Sequence, residues 1–372
     1  MAKESYLPVH SGMPKPTSSA QPVRLTSVSA VKEFLADTPF ASRSITDVTG
    51  GTINYVYRIL LAVSIEGHQT VILKHAQPFW KTSAVDSLGV ERQMFEVEAM
   101  TRVRACTPSH SLVKVPKIYH FDAYNNFIIM EDCGTDVVTL KEFLASGGAS
   151  STTTAETIGT AVGEFIALVH EWSRSNPDGI LDVFDKSVHA KKIISDLNYD
   201  RLVSTLQSSD KDDLPLLSGF EPSPSDLQTV SKLSDEYRSH LMAPRVPGLD
   251  VFLMGDLWHE NILVGTDKHQ FRLYILDWEL ARTGLAGSEI GLFCAYMGLL
   301  TRGNPVTAGL ASAIQRNFLE AYSRHSNRDA RLAQDTLAHW GSSYVFWTPR
   351  DPPGGRESVH SFVVEGVDYM VH

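Results

Sequence analysis

Residues 252–264 read Phe-Leu-Met-Gly-Asp-Leu-Trp-His-Glu-Asn-Ile-Leu-Val, and residues 271–282, after a short turn-rich gap, read Phe-Arg-Leu-Tyr-Ile-Leu-Asp-Trp-Glu-Leu-Ala-Arg. An apolar run delivers Asp256, Asn261 follows five positions later, and a second apolar strand delivers Asp277. Moving a phosphoryl group from ATP requires a carboxylate that orients and deprotonates the attacking hydroxyl, and oxygen ligands that hold magnesium against the phosphates. Asp256 suits the first task; Asn261 and Asp277 suit the second. The plain alternative is a β-hairpin whose turn contains acids, since Asp and Asn are common in turns. The second carboxylate at a strand end, and a lysine on a strand far upstream, favour the chemical reading. His259, Glu260 and His269 offer a metal-hydrolase reading, but no His-Glu-x-x-His spacing accompanies them.

The upstream lysine is Lys74, which follows Val71-Ile72-Leu73. A buried strand carries Lys only with a partner, because desolvating an ammonium is costly. The next helix, over residues 89–104, offers Glu91, Glu96 and Glu98. At 100° per residue Glu91, Glu98 and Arg102 share a charged face, whereas Glu96 lies with Met100 and Val103. Glu96 is therefore the inward acid and the expected partner of Lys74. Gly50 and Gly51 mark a tight turn between strands at 44–62, where glycines let backbone amides approach a phosphate closely. An ordinary hairpin turn is the alternative.

Strands are expected at 69–76, 117–122 and 126–130, and the last runs into Glu131-Asp132-Cys133-Gly134, a short polar segment of the kind that bridges two lobes. Ile158, Val162, Phe165, Ile166 and Val169 then recur at helical spacing, which predicts an amphipathic helix over 155–172. The stretch 204–226 is rich in Ser, Asp and Pro and reads as a loop. Helical patterns return near 288–300, 308–324, 330–347 and 358–371. Residues 1–26 lack periodicity and read as a flexible leader, with a helix starting near Ser27.

The chain has 372 residues, 43% of them hydrophobic, which supplies ample core for a globular protein. A formal charge of −10 and no Lys/Arg cluster argue against a nucleic-acid partner. The three cysteines, Cys106, Cys133 and Cys294, form neither a disulfide framework nor a zinc spacing, so a reducing, cytoplasmic setting is expected. No apolar run is long enough to span a bilayer, so no membrane partner is expected.

With Gly-Gly-Thr-Ile-Asn (51 preceded by 50, ending at Asn54), Ile-Leu-Lys-His-Ala, Met-Gly-Asp-Leu-Trp-His-Glu-Asn and Leu-Asp-Trp-Glu in order, the chain resembles the aminoglycoside phosphotransferase and choline kinase family over about residues 40–300. The resemblance implies an α+β, protein-kinase-like bilobal fold: an antiparallel β-sheet lobe (27–130), a hinge (131–136) and a larger, mainly helical lobe (137–372). It also implies ATP, magnesium and a small-molecule hydroxyl acceptor. By position, Gly50, Gly51, Asn54 and Lys74 would bind the nucleotide, Glu96 would anchor Lys74, and the Glu131 carbonyl and Cys133 amide would hold adenine. Asp256 would be the base, and Asn261 and Asp277 the metal ligands. Glu279 matches the acidic third position of methylthioribose kinases, whose paired-arginine substrate motif is absent. Met254 stands where the family usually has a histidine, which makes the support of the loop apolar. A pseudokinase on the same fold is the other class of function, but retention of four polar groups suited to phosphates and metal favours activity. The acceptor expected is aromatic or amine-bearing: acidic charge disfavours anions, and Trp258 and Trp278 adjoin the key acids. Those tryptophans equally suit a core, and Arg350 either reaches the same cleft or sits on a solvated loop, the second being favoured.

Overall fold

A computed structural model describes residues 12–13, 21–48, 53–80, 83–147, 152–207, 213–267, 270–302, 305–326 and 330–372. The chain divides into two units, one from residues up to 105 together with 115–135, the other from 106–114 and 136–372.

The first unit contains α1 (Val28–Leu35), β1 (Ser42–Asp47), β2 (Tyr55–Ile65), β3 (His68–His75), β4 (Phe79–Trp80), β5 (Ser83–Ser87) and α2 (Arg92–Cys106). After β6 (Val113–Lys114), which belongs to the other unit, come β7 (Ile118–Asp122) and β8 (Phe127–Glu131). The main sheet is antiparallel in the order β1-β2-β3-β8-β7. Side chains alternate across a strand, so Val71 and Leu73 of β3 join Tyr57, Ile59, Phe127 and Ile129 in one core, while Lys74 points the other way. Ser27 caps α1 by accepting a hydrogen bond from the Ala30 amide at 3.2 Å, and Val31 and Leu35 of that helix complete the core. The chain is pinned before this helix as well. Leu25 is fully buried, its amide donating to His75 Nε2 at 3.2 Å, and the Val23 amide donates to Asn125 Oδ1 at 3.0 Å. The expectation of a flexible leader therefore does not describe residues 21–26.

The second unit is mainly helical. Its first part comprises β9 (Val137–Thr139), α3 (Leu140–Ala145), α4 (Thr152–Ser175), α5 (Pro177–Phe184), α6 (Val188–Ser195), α7 (Leu202–Leu206) and α8 (Pro224–Met242). Then follow β10 (Val251–Leu253), β11 (Ile262–Asp267), β12 (Gln270–Ile275), β13 (Arg282–Gly284), α9 (Ala286–Leu300), α10 (Pro305–His325), α11 (Ala330–Trp347) and α12 (Arg356–Val371). The apolar stripe of α4 is buried at Ile158, Val162, Phe165, Ile166 and Val169. Gly159 and Gly163 bring α4 against α10, since a Cβ at either would collide with the Ile314 or Phe318 carbonyl. The hairpin β11–β12 is flanked by β9 and by β6, the parallel pairing of β6 with β12 explaining why residues 106–114 join this unit. Helix α8 begins inside the stretch expected to be a loop. Ser223 is its N-cap and Pro224 its first residue, so the polar, proline-bearing sequence marks a helix start there.

Candidate active site

The strand β10 is wholly buried, and it hands the chain to Met254-Gly255-Asp256. Gly255 has φ +93°, and a Cβ on it would collide with the Leu280 carbonyl, so this turn admits only glycine. The Gly255 amide donates to Glu289 Oε1 at 2.9 Å. Glu289 in turn meets His170 Nε2 at 2.9 Å, and His170 Nδ1 meets the Tyr322 hydroxyl at 2.9 Å, all deep in the helical core. Met254 itself is fully buried. The loop thus keeps a polar brace despite the missing histidine, supplied through a backbone amide one residue later.

Asp256 and Asn261 are brought together: Asn261 Nδ2 donates to Asp256 Oδ2 at 2.8 Å and to the Asp256 carbonyl at 3.0 Å. The β11–β12 pairing then returns the chain, and the Leu276 amide donates to the Asn261 carbonyl at 2.9 Å, which sets Asp277 beside this loop. Asp277 has φ +62°, a left-handed conformation uncommon for a residue with a side chain. Backbone strain of this kind concentrates where a side chain must be aimed. Burial pushes the Asp256 carboxyl up to about 7, and the Asp277 and Glu279 carboxylates add to the rise. Three acids thus lie close enough to repel one another.

In the first unit, Lys74 Nζ donates to Glu96 Oε1 at 2.7 Å, with both side chains buried. Glu98 instead accepts from Arg102 at 2.7 Å on the surface of α2. Asn54 is buried and its Oδ1 accepts from Arg92 Nη2 at 2.9 Å. Arg92, fully buried, also donates to the Gly89 carbonyl at 2.8 Å, so it ties the start of α2 to Asn54, just before β2. Gly50 and Gly51 lie outside the described residues. The segment after β8 is fixed by Arg58, which grips Asp132 through two bonds of 2.7 and 3.0 Å and reaches the Gly134 carbonyl at 3.0 Å. Glu131 accepts from Arg104 at 3.0 Å, and Cys133 is buried.

The structure separates the two tryptophans. Trp278 is fully buried, donates to the Ile275 carbonyl at 3.0 Å and stacks on Phe252, so it belongs to the core. Trp258 is half-buried, with its ring centroid 4.9 Å from that of Tyr296. Arg350 is also not a solvated loop residue: it closes α11, donating to the Phe346 carbonyl at 2.8 Å and to Thr205 Oγ1 at 3.0 Å. Sequence reasoning missed Glu289, although a lone acid in the apolar run 286–300 was a legible signal that it is held by a partner.

The protein has an antiparallel-sheet unit and a mainly helical unit, the latter carrying Asp256 on a glycine-turned loop; these are the parts of a kinase-like fold, and the chain is a phosphotransferase that acts on small molecules. The chain belongs to the phosphotransferase enzyme family, whose sequence model matches residues 44–326. It is similar to the 4-hydroxytryptamine kinase of Psilocybe cyanescens, with 28% identity over 88% of this chain and 87% of the relative. The 4-hydroxytryptamine kinase of Psilocybe cubensis is 29% identical over 86% of this chain and 84% of the relative. Among solved structures, an amicoumacin kinase in complex with AMP-PNP and Ca2+ shares the fold, with a TM-score of 0.51 and 12% identity over 92% of each chain. Among the described residues, no helix is long and apolar enough to cross a membrane.

Proposed function

We propose that the chain transfers the γ-phosphoryl group of ATP, with magnesium, to a hydroxyl of a small aromatic or amine-bearing molecule, 4-hydroxytryptamine being the first acceptor to test. The observation that carries this reading is the Asp256 carboxylate, fixed by Asn261 beside the acids Asp277 and Glu279. A carboxyl near pH 7 is poised as a general base, accepting the hydroxyl proton as the oxygen attacks. The Asn261 amide spends its N–H on Asp256, which leaves Oδ1 for a hard cation. Asp277, aimed by its left-handed backbone, and Asn261 would hold magnesium, with Glu279 in support. The fit rests on chemistry: an all-oxygen set with mutually repelling carboxylates suits a divalent cation. Magnesium supplies charge neutralisation at the phosphates when bound.

In the first unit Lys74, oriented by Glu96, would contact the phosphates, and the glycines 50 and 51 would offer their amides. The Arg58 grip on Asp132 holds the 131–134 segment so that the Glu131 carbonyl and Cys133 amide can be presented to adenine. Asn54, engaged by Arg92, would then shape the turn near the phosphates and leave direct contact to its neighbours. The test is competitive: 4-hydroxytryptamine, choline, methylthioribose and an aminoglycoside are offered in equal amounts with Mg-ATP, and products are followed by mass spectrometry. Phosphorylation of the tryptamine is expected. Exclusive phosphorylation of the ribose overturns the acceptor preference, and no product from any acceptor counts against this reading and toward a pseudokinase.

A further inference from the structure

Beside the Asp256 loop the second unit carries aromatic rings that its own packing covers only in part. Trp258, two residues after Asp256, Tyr296 in the middle of α9, and Trp347 at the end of α11 are all half-buried. Their rings are contiguous, with centroids 4.9 Å apart for Trp258 and Tyr296 and 6.5 Å apart for Tyr296 and Trp347. Their neighbours behave differently: Trp278 is fully buried and Phe346 is 2% exposed. Trp258 follows Asp256 by two residues on the same loop, and its indole N–H favours the charged form of that carboxylate.

Charge at the far rim comes from Asp351. Its amide donates to the Trp347 carbonyl at 2.8 Å, which fixes the turn that follows α11. Its side chain is exposed and has no ion-pair partner among the described residues. Burial first, then the Asp256, Asp351 and Glu260 carboxylates, hold the Tyr296 phenol well above its ordinary pKa. Glu260 is already neutralised by Lys141 at 2.8 Å. Of these three acids, Asp351 is therefore the exposed one that has no ion-pair partner among the described residues.

We propose that the acceptor is an arylalkylamine whose ring lies against Trp258, Tyr296 and Trp347 and whose ammonium is taken by Asp351. This deepens the function proposed above and rests on it for the placement of the hydroxyl at Asp256. Aromatic faces attract a flat ring by offset or edge contact and a cation by their quadrupole. The order base, aromatic wall, carboxylate matches a molecule with a ring hydroxyl at one end and an amine at the other. A quaternary ammonium without a ring would fill only the Asp351 end.

Calorimetry on the full chain tests this with two probes that cannot be phosphorylated: tryptamine, which has ring and ammonium, and indole, which has the ring alone. Choline serves as the charge without a ring. Tryptamine is expected to bind more tightly than either. Asp351→Asn, at an exposed position, is expected to weaken tryptamine by about fivefold and leave indole unchanged. Trp347→Leu is expected to weaken both by roughly fivefold or more. Absence of tryptamine binding, choline binding more tightly than tryptamine, or an unchanged tryptamine-to-indole ratio in Asp351→Asn overturns the proposal. Binding needs no turnover, so a chain that binds tryptamine as described yet does not phosphorylate 4-hydroxytryptamine refutes the acceptor named under the proposed function and leaves the ring and ammonium site assigned here standing.

Discussion

Replacing Glu96 by Gln leaves the shape of the site almost unchanged and removes one charge from a buried pair. The side chains of Lys74 and Glu96 are 7% and 1% exposed, so the ammonium that remains cannot recover its lost partner from water. Removing one member of such a pair costs about 3–5 kcal/mol, a large share of the roughly 5–15 kcal/mol that holds a typical protein folded. Glu98, paired with Arg102 at side-chain exposures of 16% and 34%, sits in solvent, where a helix pair is worth about 0.3–0.5 kcal/mol. Urea denaturation should therefore show a marked fall in midpoint for Glu96→Gln and almost none for Glu98→Gln. Function should divide the same way, with the Michaelis constant for ATP rising by about tenfold or more for Glu96→Gln, since a misplaced Lys74 would lose the phosphate contact proposed for it. The double variant Lys74→Met/Glu96→Leu separates the two effects. Exchanging a buried ion pair for apolar side chains is often close to neutral in stability, so the double variant should recover most of the midpoint and none of the activity. A double variant as unstable as the single one would refute the energetic argument, and a larger rise in the ATP constant for Glu98→Gln would refute the assignment of Lys74.

Asp256→Asn is expected to fold normally and bind ATP while turnover drops by about 10² or more, the usual scale for a positioned base; near-normal turnover removes Asp256 from that role. Asp277→Ala should abolish the magnesium dependence of nucleotide binding measured by calorimetry, whereas Glu279→Ala should weaken it less; equal effects would make Glu279 a full ligand. The fold should also be acid-labile, because burial pushes His75 down to about 4 and His259 and His339 to about 3. Each stays neutral in the folded chain while the unfolded chain takes up its proton below about 6.5, so stability is full above that pH and falls as pH drops toward 4, by up to about 1.4 kcal/mol per pH unit per histidine. Asp256, raised to about 7, works in the opposite direction over the same range and offsets one of the three. Thermal melting between pH 7 and 4.5 should show the net loss, and His339→Asn should flatten it; a constant melting temperature would show that these rings charge freely in the fold.

What could be read from the sequence, and what could not, follows from how local the determining physics is. The strand β3 and the helix α2 declare themselves by periodicity, and a helix phase of 100° per residue is enough to choose Glu96 over Glu98, because both residues lie on one rigid element. Asp256, Asn261 and Asp277 are likewise legible, since a single hairpin fixes their spacing. Trp258 and Trp278 were not separable, because the direction of a side chain leaving a loop depends on the backbone turn. That turn is set by Gly255 at φ +93° and by Asp277 at φ +62°, neither of which a periodicity argument can see. The replacement at Met254 could be judged only from the fold, because the brace arrives from Glu289, His170 and Tyr322, on three helices distant in sequence. That network also explains why an apolar residue is tolerated there. With the Gly255 amide anchored from beneath, the loop does not depend on a polar side chain at position 254 to hold Asp256 in place.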